Sequence, residues 1–92
     1  MATVVVTLKI MPESVEVNLK DIQQEAESLI QKFAGKSEMR IEQQPIAFGL
    51  KALQIMFVMD ESKGNLDPLE DLLRNIEGVQ SVEVTDVRRA VG

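Results

Sequence analysis

The sequence predicts an α+β fold of the ferredoxin-like type: one four-stranded antiparallel sheet with both helices on one face. Three observations predict it. Alternating β-branched segments and stripes of helical period follow one another in the order β-α-β-β-α-β. Each strand–helix–strand unit is long enough for a single right-handed crossover. Two packed layers around one core are the economical way to bury all the apolar faces, with strands one and three central and strands two and four at the edges. At 92 residues, the chain 1–92 is expected to be a single domain.

The elements follow in order. Residues 2–11 are rich in β-branched types, with Val4, Val6, Leu8 and Ile10 on one face and Thr3, Val5, Thr7 and Lys9 on the other; Pro12 ends this strand. After a loop to Val17, Asn18 is the expected N-cap of a helix over about 18–34, with Asp21 giving a weak capping box. Leu19, Ile22, Ala26, Leu29, Ile30 and Phe33 form its apolar stripe, and Gly35 stands at the C-cap position. Met39, Ile41 and Gln43 alternate with Arg40, Glu42 and Gln44 in a half-exposed strand that Pro45 closes.

Leu50 to Met59 reads as a central strand, because both of its faces are largely apolar: Leu53, Ile55, Phe57 and Met59 on one, Ala52, Gln54, Met56 and Val58 on the other. A polar loop over 60–65 precedes a second helix. Asp67 is its expected cap, Pro68 its first residue and Glu70 the partner of a capping box, with Leu69, Leu72, Leu73 and Ile76 facing the core. Gly78 ends it. Residues 79–87 form the last strand, Val82 and Val84 inward, followed by a short basic tail from Arg88 to Gly92.

Composition removes whole classes of function. The chain has no cysteine and no histidine, which excludes disulfides, thiol catalysis and the commonest general base and metal ligand. A net charge of −5 repels nucleic-acid phosphate, and with no Tyr or Trp the usual base-stacking platforms are missing, so no direct nucleic-acid partner is expected. No segment approaches the ~20 apolar residues that span a bilayer, and the N-terminus lacks a basic start, so the expected setting is cytoplasmic and off the membrane.

Candidate catalytic groups do not assemble. Glu25 and Glu27 point to different faces of the first helix, and Asp67, Glu70 and Asp71 suit the start of the second. Asp60, Glu61 and Asn65 do not have the spacing of a calcium loop, Gly35-Lys36-Ser37 lacks the setting of a phosphate-binding loop, and no serine has a histidine to activate it. No cofactor is expected.

Two features remain. In Pro45-Ile46-Ala47-Phe48-Gly49, Pro45 withdraws a backbone donor and Gly49 permits unusual angles, which places Phe48 on a connection. Phe48 is one of only three aromatic residues, and either it folds back to cap the core or it docks into a partner. Arg88 and Arg89, adjacent at the end of an edge strand, either reach a phosphate, acidic groove or metal site on a partner or are solvated cations balancing carboxylates such as Asp86. The helix-free sheet face, bearing Val5, Thr7, Met56 and Val58, either receives a partner or another copy, or is covered by a tail or long side chains.

Met11-Pro12, the run Pro45-Ile46-Ala47-Phe48-Gly49-Leu50-Lys51-Ala52-Leu53-Gln54-Ile55, and Ile76-Glu77-Gly78-Val79 followed by 82–89 together resemble the archaeal elongation factor 1-beta family over nearly the full chain. The resemblance implies the same fold, no covalent chemistry, and guanine-nucleotide exchange on the GTPase elongation factor 1-alpha. It further implies that Phe48 belongs to the GTPase-contacting region, and Pro45 and Gly49 beside it are candidate partner-binding residues with Arg88 and Arg89. Eukaryotic relatives direct a lysine near the C-terminus at the magnesium and phosphate site; here that position falls at Gly92, and Arg88 and Arg89 are the nearest cations. The alternative on the same topology is a ligand-binding regulatory module of the amino-acid-sensing type. An acylphosphatase-like enzyme is a third reading, without a phosphate-cradling loop to support it.

Overall fold

A computed structural model describes residues 3–35 and 38–89. The strands are β1 (Thr3–Pro12), β2 (Met39–Pro45), β3 (Lys51–Asp60) and β4 (Val79–Arg89), and the helices are α1 (Leu19–Ala34) and α2 (Asp67–Arg74). The sheet is fully antiparallel in the order β2-β3-β1-β4. β1 and β3 are central, as expected, each paired with a strand on either side, and β3 is the strand whose two faces are both largely apolar.

The core lies between the sheet and the helices. Val6, Leu8 and Ile10 of β1 and Leu53, Ile55, Phe57 and Met59 of β3 meet Ile22, Ala26 and Ile30 of α1 and Leu69 and Leu73 of α2. Fully burying an aliphatic side chain of this size contributes about 1.5–3 kcal/mol, so two aligned stripes suffice to seat both helices.

Local signals are corrected at several points. The Asn18 side chain accepts from the backbone N–H of Lys20 at 2.9 Å, and the Asp21 carboxylate returns no capping bond. α2 starts one residue early: Asp67 is its first residue and Pro68 its second, the cap position is Leu66 without a side-chain capping bond, and Asn65 just before it accepts the Asp67 N–H at 3.0 Å. Leu72 is exposed, because the buried stripe is centred on Leu69, Leu73 and Ile76 and Leu72 stands roughly 60° away from that centre. Pro12 and Pro45 are the last residues of their strands rather than stops just beyond them, positions where a missing N–H breaks no ladder.

The largest correction concerns β4. It continues through Arg88 and Arg89, pairing with Val5 and Val4, where a separate tail was expected. Its register shifts between Thr7 and Leu8, leaving Thr85 as an extra residue between Val84, opposite Leu8, and Asp86, opposite Thr7. Such a bulge reverses the alternation of faces beyond it. Antiparallel partners share a face, so Arg88 joins Val5 on the open side and Val87 and Arg89 join Val6 and Val4 on the helix side.

The loop after β3 is held by its own side chains. Asp60 accepts the Ser62 N–H at 2.9 Å. That backbone bond, and next the Ser62 hydroxyl, hold the Asp60 carboxyl below its ordinary value. Because the folded-state value lies below the unfolded one, this contribution is present above the unfolded aspartate pKa and is lost as pH falls through the lowered value. NMR titration of the Asp60 carboxyl should give a midpoint below that of a free aspartate peptide, and Ser62→Pro, which removes the donor, should raise it. A midpoint at or above the peptide value contradicts the cap.

Candidate functional site

The β2–β3 connection is built by backbone chemistry. The Leu50 N–H donates to the Ala47 carbonyl at 2.9 Å and the Ile46 N–H to the Leu50 carbonyl at 2.8 Å. The two residues at the tip, Phe48 and Gly49, have φ of 54° and 79°. Positive φ at both central positions is the pattern of the tight turn that suits the right-handed twist of a hairpin. Glycine adopts it freely; phenylalanine, the one non-glycine residue with positive φ among those described, does so against a steric penalty of about 1–2 kcal/mol.

Phe48 gains no packing in return, since it is 101% exposed. The expectation that it caps the core is therefore excluded. Val15 and Ile46 are exposed at the same end of the sheet, where Val15 lies beside Gly49. Pro45 closes β2 opposite Lys51 and fixes the base of the turn. Pro45, Phe48 and Gly49 thus lie together at one tip of the sheet.

Arg88 and Arg89 lie at the other end. Arg89 is opposite Val4, itself opposite Met59, and the eight residue-to-residue steps along β3 from Lys51 to Met59 span roughly 26 Å. The two arginines also have different partners. Arg88 Nε donates to Asp86 at 2.8 Å on the open face, whereas Arg89 is bridged to Glu61, whose hydrogen bond and charge raise the arginine pKa. Both bridges are exposed pairs of small energetic weight.

Val5, Thr7, Gln54, Met56, Thr85 and Asp86 line a shallow depression on the open face that both arginines border. Thr7 is buried there, and the Thr85 hydroxyl donates to its carbonyl at 3.3 Å. Sequence reasoning named Val5, Thr7, Met56 and Val58 for this face. Gln54 shares the β3 face assigned to Met56 and Val58, whereas Asp86 was missed, because the bulge that turns it onto this side has no local signature.

The polar residues set aside as metal candidates have intramolecular partners. Asp60 accepts the Ser62 N–H, Glu61 holds Arg89 and Asn65 accepts the Asp67 N–H at the start of α2. Among the described residues, no three His, Cys, Asp or Glu side chains are placed to hold a metal ion. Gly35 is the C-cap of α1, while Lys36 and Ser37 lie outside the described residues, as does Gly92. Asp21, Glu25 and Glu77 line a second concavity between the start of α1 and the turn into β4. No helix among the described residues is long and apolar enough to cross a membrane.

A sheet backed by helices on one side only, with an aromatic held out on a tight turn, defines an open-faced domain of the ferredoxin-like class. The de novo designed protein Foldit4 shares this fold, with a TM-score of 0.64 over 98% of both chains at 19% identity. Within that class, the chain belongs to the EF-1 guanine nucleotide exchange domain family, which matches residues 5–90. It is 44% identical to elongation factor 1-beta of Methanothermobacter thermautotrophicus, across 97% of this chain and 98% of that one. It is 43% identical to elongation factor 1-beta of Aeropyrum pernix over the same shares. The resemblance to archaeal elongation factor 1-beta is thereby established, and the family is one of translation elongation exchange factors.

Proposed function

We propose that the chain 1–92 acts as one cytoplasmic exchange-factor domain that promotes replacement of GDP by GTP on elongation factor 1-alpha. It would do so by weakening the GTPase's hold on nucleotide and magnesium. The observation that carries this reading is Phe48, fully exposed on a strained turn in a chain of the EF-1 exchange family. Strain retained without packing is a feature of functional sites. Family membership favours exchange over the amino-acid-sensing and acylphosphatase readings.

The physics requires no covalent step. A factor that binds the GTPase more tightly when nucleotide is absent must, by linkage, weaken nucleotide binding in the complex. A coupling of about 4 kcal/mol corresponds to roughly a thousandfold change in affinity. The partner-binding residues in this proposal are Pro45, Phe48, Gly49, Arg88 and Arg89, and they divide the work. The tip anchors the GTPase, and the β4 end disturbs its ion and phosphate site through positive charge. With the two groups roughly 26 Å apart, the long axis of the sheet lies along the partner.

The test is release of a fluorescent GDP analogue from the same organism's elongation factor 1-alpha, with excess GTP and substoichiometric amounts of this chain. Acceleration supports the proposal; none, with an active GTPase, rejects it. The arginines should then separate. Arg88→Ala should lower the exchange rate more than Arg89→Ala, because Arg88 stands on the open face and Arg89 is held by Glu61 on the other. Full activity in both single variants and in the double variant would remove β4 from the mechanism.

A further inference from the structure

The sheet has two edges, and they are protected differently. β4 carries the bulge at Thr85 and the charges of Asp86, Arg88 and Arg89, devices that discourage pairing with another strand. β2 is less guarded: it carries one charge of each sign, Arg40 and Glu42, where β4 ends in two adjacent arginines. It pairs with β3 without a register shift, contains no lysine, and has its only proline at its last residue. Its outer backbone groups form a regular template for another strand.

The side chains of β2 suit one such strand. Arg40 and Glu42 lie opposite Met56 and Gln54 on the open face, both exposed, and neither takes part in an ion pair among the described residues. Between them, Ile41 is half-buried on the helix side. The pattern is self-complementary: rotation about an axis through Ile41 sets Arg40 against Glu42 of the other copy, twice, with Ile41 against Ile41.

We propose that β2 pairs antiparallel with β2 of a second copy of this chain, centred on Ile41, to form one continuous sheet across the dimer. The register is selected by charge. Two-fold pairing with both helix layers on the same side allows only registers that place like-facing residues opposite each other. The neighbouring centres, Arg40 and Glu42, would set arginine against arginine or glutamate against glutamate, which is unfavourable. A contact limited to one strand is small, so the dimer is weak, concentration-dependent and salt-sensitive. This inference does not rest on the exchange reading.

Sedimentation velocity of the intact chain from micromolar to millimolar concentration tests it, with folding of each variant checked by circular dichroism. The wild type should self-associate at low salt, and Arg40→Glu or Glu42→Arg alone should weaken this by about tenfold or more, since each creates two like-charged pairs. The double variant R40E/E42R should restore it. An equimolar mixture of the two single variants should associate although neither does alone. A monomeric wild type throughout, or association that survives either single reversal, would overturn the proposal. Should one single variant fail to fold, the double variant still decides: loss of association in a folded R40E/E42R chain also overturns it.

Discussion

Replacing Phe48 with alanine should lower exchange-promoting activity on elongation factor 1-alpha by about 30-fold or more while leaving thermal stability nearly unchanged. The first half follows from the behaviour of buried aromatic anchors at interfaces, where truncation removes about 2–4 kcal/mol of binding. The second half follows from exposure: no atom of Phe48 is covered by the rest of the fold, so its removal leaves no cavity. The turn is set by its two backbone hydrogen bonds and by Gly49, and these survive the substitution.

A companion variant separates function from strain. Asparagine tolerates positive φ better than phenylalanine, so Phe48→Asn should raise stability by up to about 1 kcal/mol while also losing activity. Opposite signs in the two readouts would identify a side chain kept for its partner at the expense of its own fold. Wild-type exchange by Phe48→Ala would remove the anchor from the mechanism. A stability loss above about 1 kcal/mol would mean that Phe48 is packed in solution.

Gly78→Ala should produce the largest loss of stability, about 2–3 kcal/mol, from two independent causes. Gly78 has a φ of 92°, which a side chain resists, and an added Cβ would stand 2.8 Å from Val17 Cγ1. The position cannot easily yield, because the Gly78 carbonyl accepts the Glu13 N–H at 2.8 Å and Val79 begins β4 directly afterwards. For a domain of this size, such a loss lowers the melting temperature by about 10–20 °C. Adding Val17→Ala removes the close contact but not the backbone strain, so the double variant should recover roughly half of the loss. A Gly78→Ala chain that melts with the wild type would show that the turn into β4 relaxes freely.

The fold was legible because its signals are local. The face formed by Val4, Val6, Leu8 and Ile10, and the corresponding face of β3, are written at every second residue, and the α1 stripe recurs at every third or fourth. Caps were less legible, since Asn65 and Asp67 are both competent and the choice turns on one residue of helix start. Leu72 was misplaced because sequence spacing shows which residues can share a helix face, not how wide a face the sheet will cover. The tip was partly legible: Pro45 and Gly49 marked the turn, but the outward direction of Phe48 depends on the backbone angles at 48 and 49 together.

The sequence by itself determined the order of elements, the central and edge strands, the core face of each, and the absence of histidine and cysteine chemistry. These depend on periodicity and composition, which are properties of the chain alone. The tertiary structure decided how the candidate residues are distributed. Thr85 becomes a bulge only when β4 aligns with β1, and that alignment sends Arg88 to the open face and Arg89 to the other. The strand lengths and register then put Phe48 at the far end of the sheet from both. Residues adjacent in sequence were separated, and residues grouped by analogy were set apart, because strand register is fixed by the partner strand and not by the segment that contains them.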